Sequence, residues 1–587
     1  MLFKSSKPGA DPTDLKDWRP ISLRETDYKI LTKLVVSRLN PLLSSSIPPA
    51  QHGFVAGRQS SDAGTHLRFL VEQVRASGLE EAALLSLDQE KAYDLVDHDW
   101  IVDCYEAFGA PARFLSLLRT LYDGGQLRAR FIVNGFLSDG IALQNGLPQG
   151  DPLSCASWIV SFQPFLDALI RRKIALMLPS PVSLTRPEIL TTLAFADDSL
   201  VVVESISTAL PALRTLSADW YLATNGRLNT DKTEATAIGA RAQEDTMASS
   251  LRWTVDEGFV LWAGFPFSPR GDTSVYYSLL LDRLQQRADK AAAGSADVRS
   301  RALFANTHLL SRSQHLLSFV TPPPTFLSAL SKLLFDFVWN GRYHPVAQST
   351  VFSPTSLGGL GLLNPANFAL SHSLRFLARL YGEEESIWRD LAWASLHRAC
   401  NLPLALPADV RGGLGRFSFQ NAWSVFSPSF PLPADECWRS VITAGKLYPP
   451  SLDVDRLSPA ELVSLPPSLF SSHPLLRRTP TIADLYYRPN PTAARPPGLY
   501  SFPANARAAK VSAWEETVKG NPALANLLPP RTPIDQYSLT PIPLPVVLRA
   551  PAFTFLDHSP PFSSRDIRQS LNATATPTQP ALRLPEI

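Results

Sequence analysis

Three carboxylates offer the first chemistry in this chain. Asp197 and Asp198 stand side by side in TTLAFADDSLVVVES, with Leu193 and Phe195 before them and Leu200, Val201, Val202 and Val203 after. Those flanks are β-forming, so the spacing predicts strand, tight turn, strand, with both carboxylates at the bend. Two like charges held together repel, and a divalent cation relieves that repulsion. Aspartates also cap their own backbone in ordinary turns, so the pair alone leaves both readings open. Upstream, Ala83, Leu84, Leu85 and Leu87 form an apolar run of buried-strand length that ends at Asp88. A strand delivering one carboxylate beside a hairpin delivering two assembles a three-carboxylate cluster. Such a cluster can hold two magnesium ions roughly 3.5–4 Å apart, serving an attacking and a leaving oxygen.

The elements that must position these groups follow from pattern and composition. Residues 1 to about 80 read as helices and loops, with Ile30, Leu34 and Leu39 forming an apolar helical stripe. Residues from about 81 to 270 alternate strands and helices, the pattern of a mixed α/β domain. From 271 to 400 the pattern turns helical. Thr325, after Pro322-Pro323-Pro324, is placed to cap a helix that carries Leu327, Leu330, Leu334 and Phe337 on one face. Proline becomes frequent beyond 400. Residues 401–520 are poorly assignable, with a helix expected near Ala513 to Val518, and the Pro-rich 521–587 is expected to be disordered.

The chain's 587 residues suffice for roughly three or four domains, and its 45% hydrophobic content can supply their cores. A net charge of +2 does not argue nucleic-acid binding by itself, so binding must rest on local patches. Lys4, Lys7, Lys16, Arg19, Arg24, Lys29, Lys33 and Arg38 concentrate basic charge near the start, offset in part by Asp11, Asp14, Asp17, Glu25 and Asp27. Cys104, Cys155, Cys400 and Cys437 show neither a disulfide framework nor zinc-ligand spacing, which fits a reducing compartment. No secretory signal and no apolar run of membrane-spanning length is visible.

Taken together, the motifs resemble the reverse transcriptases of LINE-type (non-LTR) retrotransposons over roughly residues 1 to 400. Asp88-Gln89-Glu90-Lys91-Ala92-Tyr93-Asp94, with Val96 and His98, is similar to the family's first catalytic motif, and Phe195-Ala196-Asp197-Asp198 to its third. Between them, Asn145-Gly146-Leu147-Pro148-Gln149-Gly150-Asp151-Pro152-Leu153-Ser154 resembles the segment that contacts nucleotide and template. Trp18 to Leu23, Asp27 to Leu31, Gln51 to Phe54 and Gly57-Arg58-Gln59 are similar to fingers motifs. Asn229 and Lys232-Thr233 resemble the palm motif with a lysine near pyrophosphate, and Leu261 to Pro266 the primer-grip turn. Phe337-Val338-Trp339 and Gly358-Gly359-Leu360-Gly361-Leu362 look like elements that follow the polymerase in these proteins.

The resemblance implies a right-handed polymerase: fingers at 1–80, an α/β palm at 81–270 and a helical thumb with post-polymerase region at 271–400. It implies RNA-directed DNA synthesis with a DNA primer or target, an RNA template, deoxynucleoside triphosphates and two Mg²⁺ ions, Mn²⁺ substituting, in a nuclear setting. Asp88, Asp197 and Asp198 would hold the metals. Lys232 would stabilise the leaving pyrophosphate, and Tyr93 would exclude a 2′-hydroxyl. Gln149 and Gly150 would contact the nucleotide, with Arg19 and Arg58 reaching its triphosphate.

This sequence departs from the family at several points. Asn145 stands where arginine is usual, Cys155-Ala156-Ser157-Trp158 where proline and small or apolar residues are usual, and Trp262-Ala263-Gly264 where Tyr-Leu-Gly is typical. The first fingers motif follows Met1 almost at once, so a front shortened relative to endonuclease-bearing proteins of the family is expected. A non-catalytic remnant or domesticated nucleic-acid-binding protein is the alternative of another class. A maturase-like or telomerase relative would keep the chemistry and change the substrate.

Overall fold

The computed structural model describes residues 2–4, 18–20, 22–122, 127–133, 135–179, 188–229, 232–244, 251–253, 259–268, 274–292, 294, 296–317, 322–341, 344–381, 388–401, 430–447, 451–452, 475–476, 504–520 and 548–549. These divide between two compact units, one spanning 1–179 with 188–276 and the other the remainder.

The first unit is built on a five-stranded sheet in the order Thr192–Phe195, Asp198–Val203, Ala83–Leu87, Glu234–Ala237, Arg252–Trp253. All neighbours are antiparallel except the last pair, where Glu234 aligns with Arg252 in parallel. The central strands read as near-continuous apolar runs because both faces are covered. Leu85 and Leu200 to Val203 are fully buried.

Helices Thr26–Ser46 and Ser60–Ala76 precede the sheet, and helices His98–Ala107, Pro152–Arg171 and Ile206–Thr224 share its core. The long Pro152–Arg171 helix is the central packing element. Pro152 opens it and Asp151 caps it, accepting from Leu153 N at 3.1 Å, so neither lost nor orphan N–H groups oppose its start. Trp158 and Phe162 on this helix stack at 5.1 Å, and Phe162 and Phe165 at 5.3 Å. Trp220 closes the cluster against Phe165 at 5.3 Å.

Three expectations change here. By length and composition the Pro152–Arg171 helix could cross a membrane, contrary to the reading of the sequence, yet 78% of its apolar window is buried in this unit. Its hydrophobicity on every side reflects its place inside a core. On helix Thr26–Ser46, Ile30 and Leu34 are each 55% exposed, so of the expected apolar stripe only Leu39 packs against the core of this unit. In the second unit, helix Pro324–Trp339 starts at Pro324 with Pro323 as its cap, which leaves Thr325 inside the first turn. Proline supplies the helical φ without needing an N–H there.

The second unit is helical. Its elements include Val298–Phe304, Pro324–Trp339, Pro365–Tyr381, Trp388–Ala399, Glu436–Leu447 and Ala504–Lys519, the last extending well beyond the expected Ala513–Val518. Phe337, Val338 and Trp339 are all buried at the C-terminal end of helix Pro324–Trp339. Gly359 lies so close to Ser353 that a Cβ would come within 2.0 Å of its carbonyl oxygen, which explains a glycine in that run. The expected tail at 521–587 falls outside the described residues except for Leu548–Arg549, which pairs with Ser451–Leu452.

Trp158 is 1% exposed and touches Tyr93 as well as Phe162. Trp158→Ala is expected to destabilise the first unit by about 3–5 kcal/mol, read as a lower denaturant midpoint with an unchanged slope.

Candidate active site

The hairpin forms as its sequence predicts. Strands Thr192–Phe195 and Asp198–Val203 are joined by the two-residue turn Ala196-Asp197, with Phe195 paired to Asp198. Ala196 carries the turn at φ +61°. The next strand over pairs Ser199 with Leu87. One step further along the same antiparallel register, Asp198 comes opposite Asp88, and Asp197 follows at the turn. All three carboxylates therefore sit at one end of the sheet.

Lys232 reaches the same place by a tight turn. Asn229 N donates to Asp88 O at 2.8 Å, and Thr233 N donates back to Asn229 O at 3.0 Å. This brings Lys232 Nζ to 3.4 Å from Asp88 Oδ2. With the two side chains 51% and 32% exposed, such a pair contributes little stability, so its meaning is placement of a cation on the carboxylate. Trp262, 2% exposed, braces the hairpin from another side, its Nε1 donating to Asp198 O at 3.3 Å.

Tyr93 lies behind this end of the sheet, its ring 5.3 Å from that of Trp158. Its hydroxyl is buried against the Cys155 thiol and makes no hydrogen bond of normal geometry among the described residues. Burial first, then Cys155 and Asp197, pushes the phenol well above its ordinary pKa. The ring is thus a neutral wall close to Asp197. Cys155, one of the departures from the family pattern, is what backs it.

The Asn145–Gly150 loop is stitched to the segment after Asp88. Gly146 N donates to Val96 O at 2.8 Å, Leu147 N to Tyr93 O at 2.5 Å, and His98 Nε2 bonds Gly146 O at 2.8 Å. Asn145 bridges to Asp97 through the backbone. Gln149 O accepts from Ser22 N at 2.8 Å, and Gly150, at φ +104°, passes so near Ser22 that a Cβ would lie 3.1 Å from its carbonyl oxygen. A cleft of about 290 Å³ opens beside this loop, lined by Arg24, Asp94, Arg128, Arg130 and Gln149 among others.

Of the two predicted triphosphate contacts, one is engaged with the backbone instead. Arg58 turns inward: its guanidinium donates to the carbonyls of Ile47 at 2.5 Å, Pro48 at 2.7 Å and Gln51 at 2.5 Å. It serves the fold as a strut, and the triphosphate role expected of it has no support here. Arg19 lies on the short strand Trp18–Pro20 opposite Phe3, and its side chain falls outside the described residues. Two contacts come unannounced by sequence pattern: that of the Trp262 indole, and that of Tyr28, whose hydroxyl donates to Asp151 Oδ2 at 2.8 Å. Both contacts span more than 60 residues in sequence, and no local pattern signals them.

The donor chemistry fits a hard divalent cation, since the converging groups are all carboxylates. The fit is one of topology. Among the described residues, no three His, Cys, Asp or Glu side chains stand close enough to form a ready-made cage. The fold brings the three carboxylate-bearing positions to one strand end.

A sheet with carboxylates at a hairpin and a facing strand end, flanked by an aromatic wall and a glycine-bearing loop, has the form of a polymerase palm. Residues 5–265 match the reverse transcriptase (RNA-dependent DNA polymerase) family, whose members use divalent metals. The resemblance to reverse transcriptases of LINE-type, non-LTR retrotransposons is supported by that match and by relatives from such elements. Its relatives include the transposon TX1 149 kDa protein of Xenopus laevis, 28% identical over 66% of this chain and 29% of that protein. The Pol polyprotein of the type-2 retrotransposable element R2DM of Drosophila melanogaster is 24% identical over 59% of this chain and 32% of that protein. The chain thus spans about a third of the length of these relatives. Among solved structures, a telomerase from Candida albicans in complex with a fragment of telomeric RNA is 13% identical, with a TM-score of 0.30 over 62% of this chain and 58% of that one.

Gly146 combines φ +88° with a position where a Cβ would lie 2.6 Å from Asp94 O. Gly146→Ala is expected to cost at least about 2 kcal/mol, seen as a fall in the denaturant midpoint of the first unit.

Proposed function

We propose that this chain is an RNA-directed DNA polymerase that extends a DNA primer on an RNA template, working in the nucleus during retrotransposition. The observation that carries the reading is the convergence of Asp88 with Asp197 and Asp198 at one end of the palm sheet, with Tyr93 and the Gln149–Gly150 loop beside them. In the reaction the primer 3′-oxygen forms a bond to the α-phosphorus of a deoxynucleoside triphosphate. The bond from that phosphorus to the bridging oxygen breaks, and pyrophosphate leaves. Two Mg²⁺ ions held by Asp88, Asp197 and Asp198, or Mn²⁺ in their place, would supply activation of the 3′-hydroxyl and neutralisation of the leaving group.

The chain's own groups do the remaining work. Lys232, already directed at Asp88, brings a compact positive charge to the side where pyrophosphate departs. Tyr93 presents a fixed ring to the sugar, and its backing by Trp158 and Cys155 prevents it from yielding to a 2′-hydroxyl. Gly150 allows the backbone to approach a ligand, and the Gln149 amide supplies a donor and an acceptor next to the arginine-lined cleft. That cleft would follow the phosphates of the template.

The test is primer extension on an RNA template with deoxynucleotides and Mg²⁺. Wild type extends the primer, and Asp197→Asn loses at least about 10²–10³-fold in rate while its thermal melting is retained. Extension unaffected by that substitution would overturn the metal assignment, and no extension by folded wild type would favour a binding protein without turnover. Tyr93→Ala is expected to raise ribonucleotide incorporation relative to deoxynucleotide incorporation, about tenfold or more. An unchanged ratio removes the gate from Tyr93.

A further inference from the structure

The two-residue hairpin that carries two of the three carboxylates demands left-handed backbone at its first turn position, where glycine is the usual residue and this chain has alanine. Ala196 occupies the first turn position with φ +61°, left-handed backbone that a residue with a Cβ adopts only when its surroundings hold it there. The holding comes from the Ala50–Gly53 segment, nearly 150 residues earlier. The Gln51 side chain grips both backbone groups of Ala196: Oε1 accepts from Ala196 N at 2.9 Å, and Nε2 donates to Ala196 O at 3.1 Å. The same Oε1 accepts from Gly53 N at 2.9 Å. Gln51 is 1% exposed, so these bonds face no competition from water.

Backbone pairing extends the grip. His52 N donates to Ala194 O at 2.7 Å, and Ala194 N donates to Ala50 O at 2.9 Å. Gly53 is required for the approach, because a Cβ there would lie 2.3 Å from Ala196 N. From behind, Arg58 ties the carbonyls of Ile47, Pro48 and Gln51 together and so fixes the segment that carries the glutamine.

We infer that Gln51 is a positioning residue for the catalytic carboxylates: its amide locks the Ala196 turn and thereby sets where Asp197 and Asp198 stand relative to Asp88. As it concerns turnover, this rests on the polymerase reading above. The side-chain chemistry is specific. Glutamate would keep the acceptor, lose the donor to Ala196 O and place a negative charge against that carbonyl. Leucine would lose both contacts and leave the turn's N–H and C=O buried without partners. Asparagine, one methylene shorter, could not span the same gap.

Two measurements on the full chain test this, with wild type, Gln51→Leu and Gln51→Glu compared. Hydrogen exchange at the Ala196 amide is expected to accelerate about tenfold or more in Gln51→Leu, while the amides of the central strand Ala83–Leu87 stay within about twofold. In primer extension, Gln51→Leu is expected to lower the rate constant at saturating nucleotide about tenfold or more and raise the Mg²⁺ concentration for half-maximal rate. The KM for primer–template stays within about twofold of wild type. Gln51→Glu falls between the two, and if Gln51→Leu does not fold it carries the test. A merely structural glutamine would reduce the active fraction with rate constant and Mg²⁺ dependence unchanged, and that result overturns the inference. So does unaltered exchange at Ala196 in a folded variant. If wild type itself extends no primer, the polymerase reading fails instead, and exchange at Ala196 still decides whether Gln51 holds the turn.

Discussion

Ser199 and Leu87 face each other across two antiparallel strands, and this pairing sets where every carboxylate of the site can go. A slip of one residue would send each side chain to the opposite face and part Asp198 from Asp88. Five consecutive residue pairs, Ser199–Val203 against Ala83–Leu87, hold this register between strands whose side chains are buried on both faces. The apolar strands thus do more than fill a core. They transmit the exactness of packing to charged groups that lie at their ends, where packing itself stops.

Gathering like charges at a strand end is unfavourable, and the fold offsets only part of that cost. Lys232 sits on Asp88, but both groups are substantially exposed and their attraction is screened by water. Under the proposed function, the remaining repulsion would be relieved by bound cations. Two neighbouring features are neutral: burial pushes the Tyr93 phenol well above its ordinary pKa, and the Asn145–Gly150 loop offers backbone and amide contacts. Charge is concentrated where metal and phosphate would meet, and shape is provided where a sugar would rest.

The strand ending at Asp88, the Asp197-Asp198 hairpin and the glycine-bearing loop were legible because each is local: alternation, turn residues and apolar runs lie within a few positions of one another. Readings failed where burial depends on distant partners. Ile30 and Leu34 have the spacing of a core stripe but are exposed, and the Pro152–Arg171 helix has the composition of a membrane span because the core surrounds it. Arg58 carries the charge expected of a phosphate ligand. Only the placement of three carbonyls around it shows that its guanidinium is engaged with the backbone.

The sequence by itself determined the chemical repertoire: which carboxylates, which aromatic and which glycines are present, and that short-range patterns would form the strands and turns bearing them. Only the tertiary structure decided how those pieces bear on one another. The Gln51 amide on Ala196, the Trp262 indole on Asp198 and the Cys155 thiol behind Tyr93 join residues about 60 to 145 positions apart. Such contacts depend on the folded path of the chain, because a hydrogen bond needs its partners within about 3 Å. Side-chain type says what a residue can bond, while the fold determines what comes near enough to be bonded.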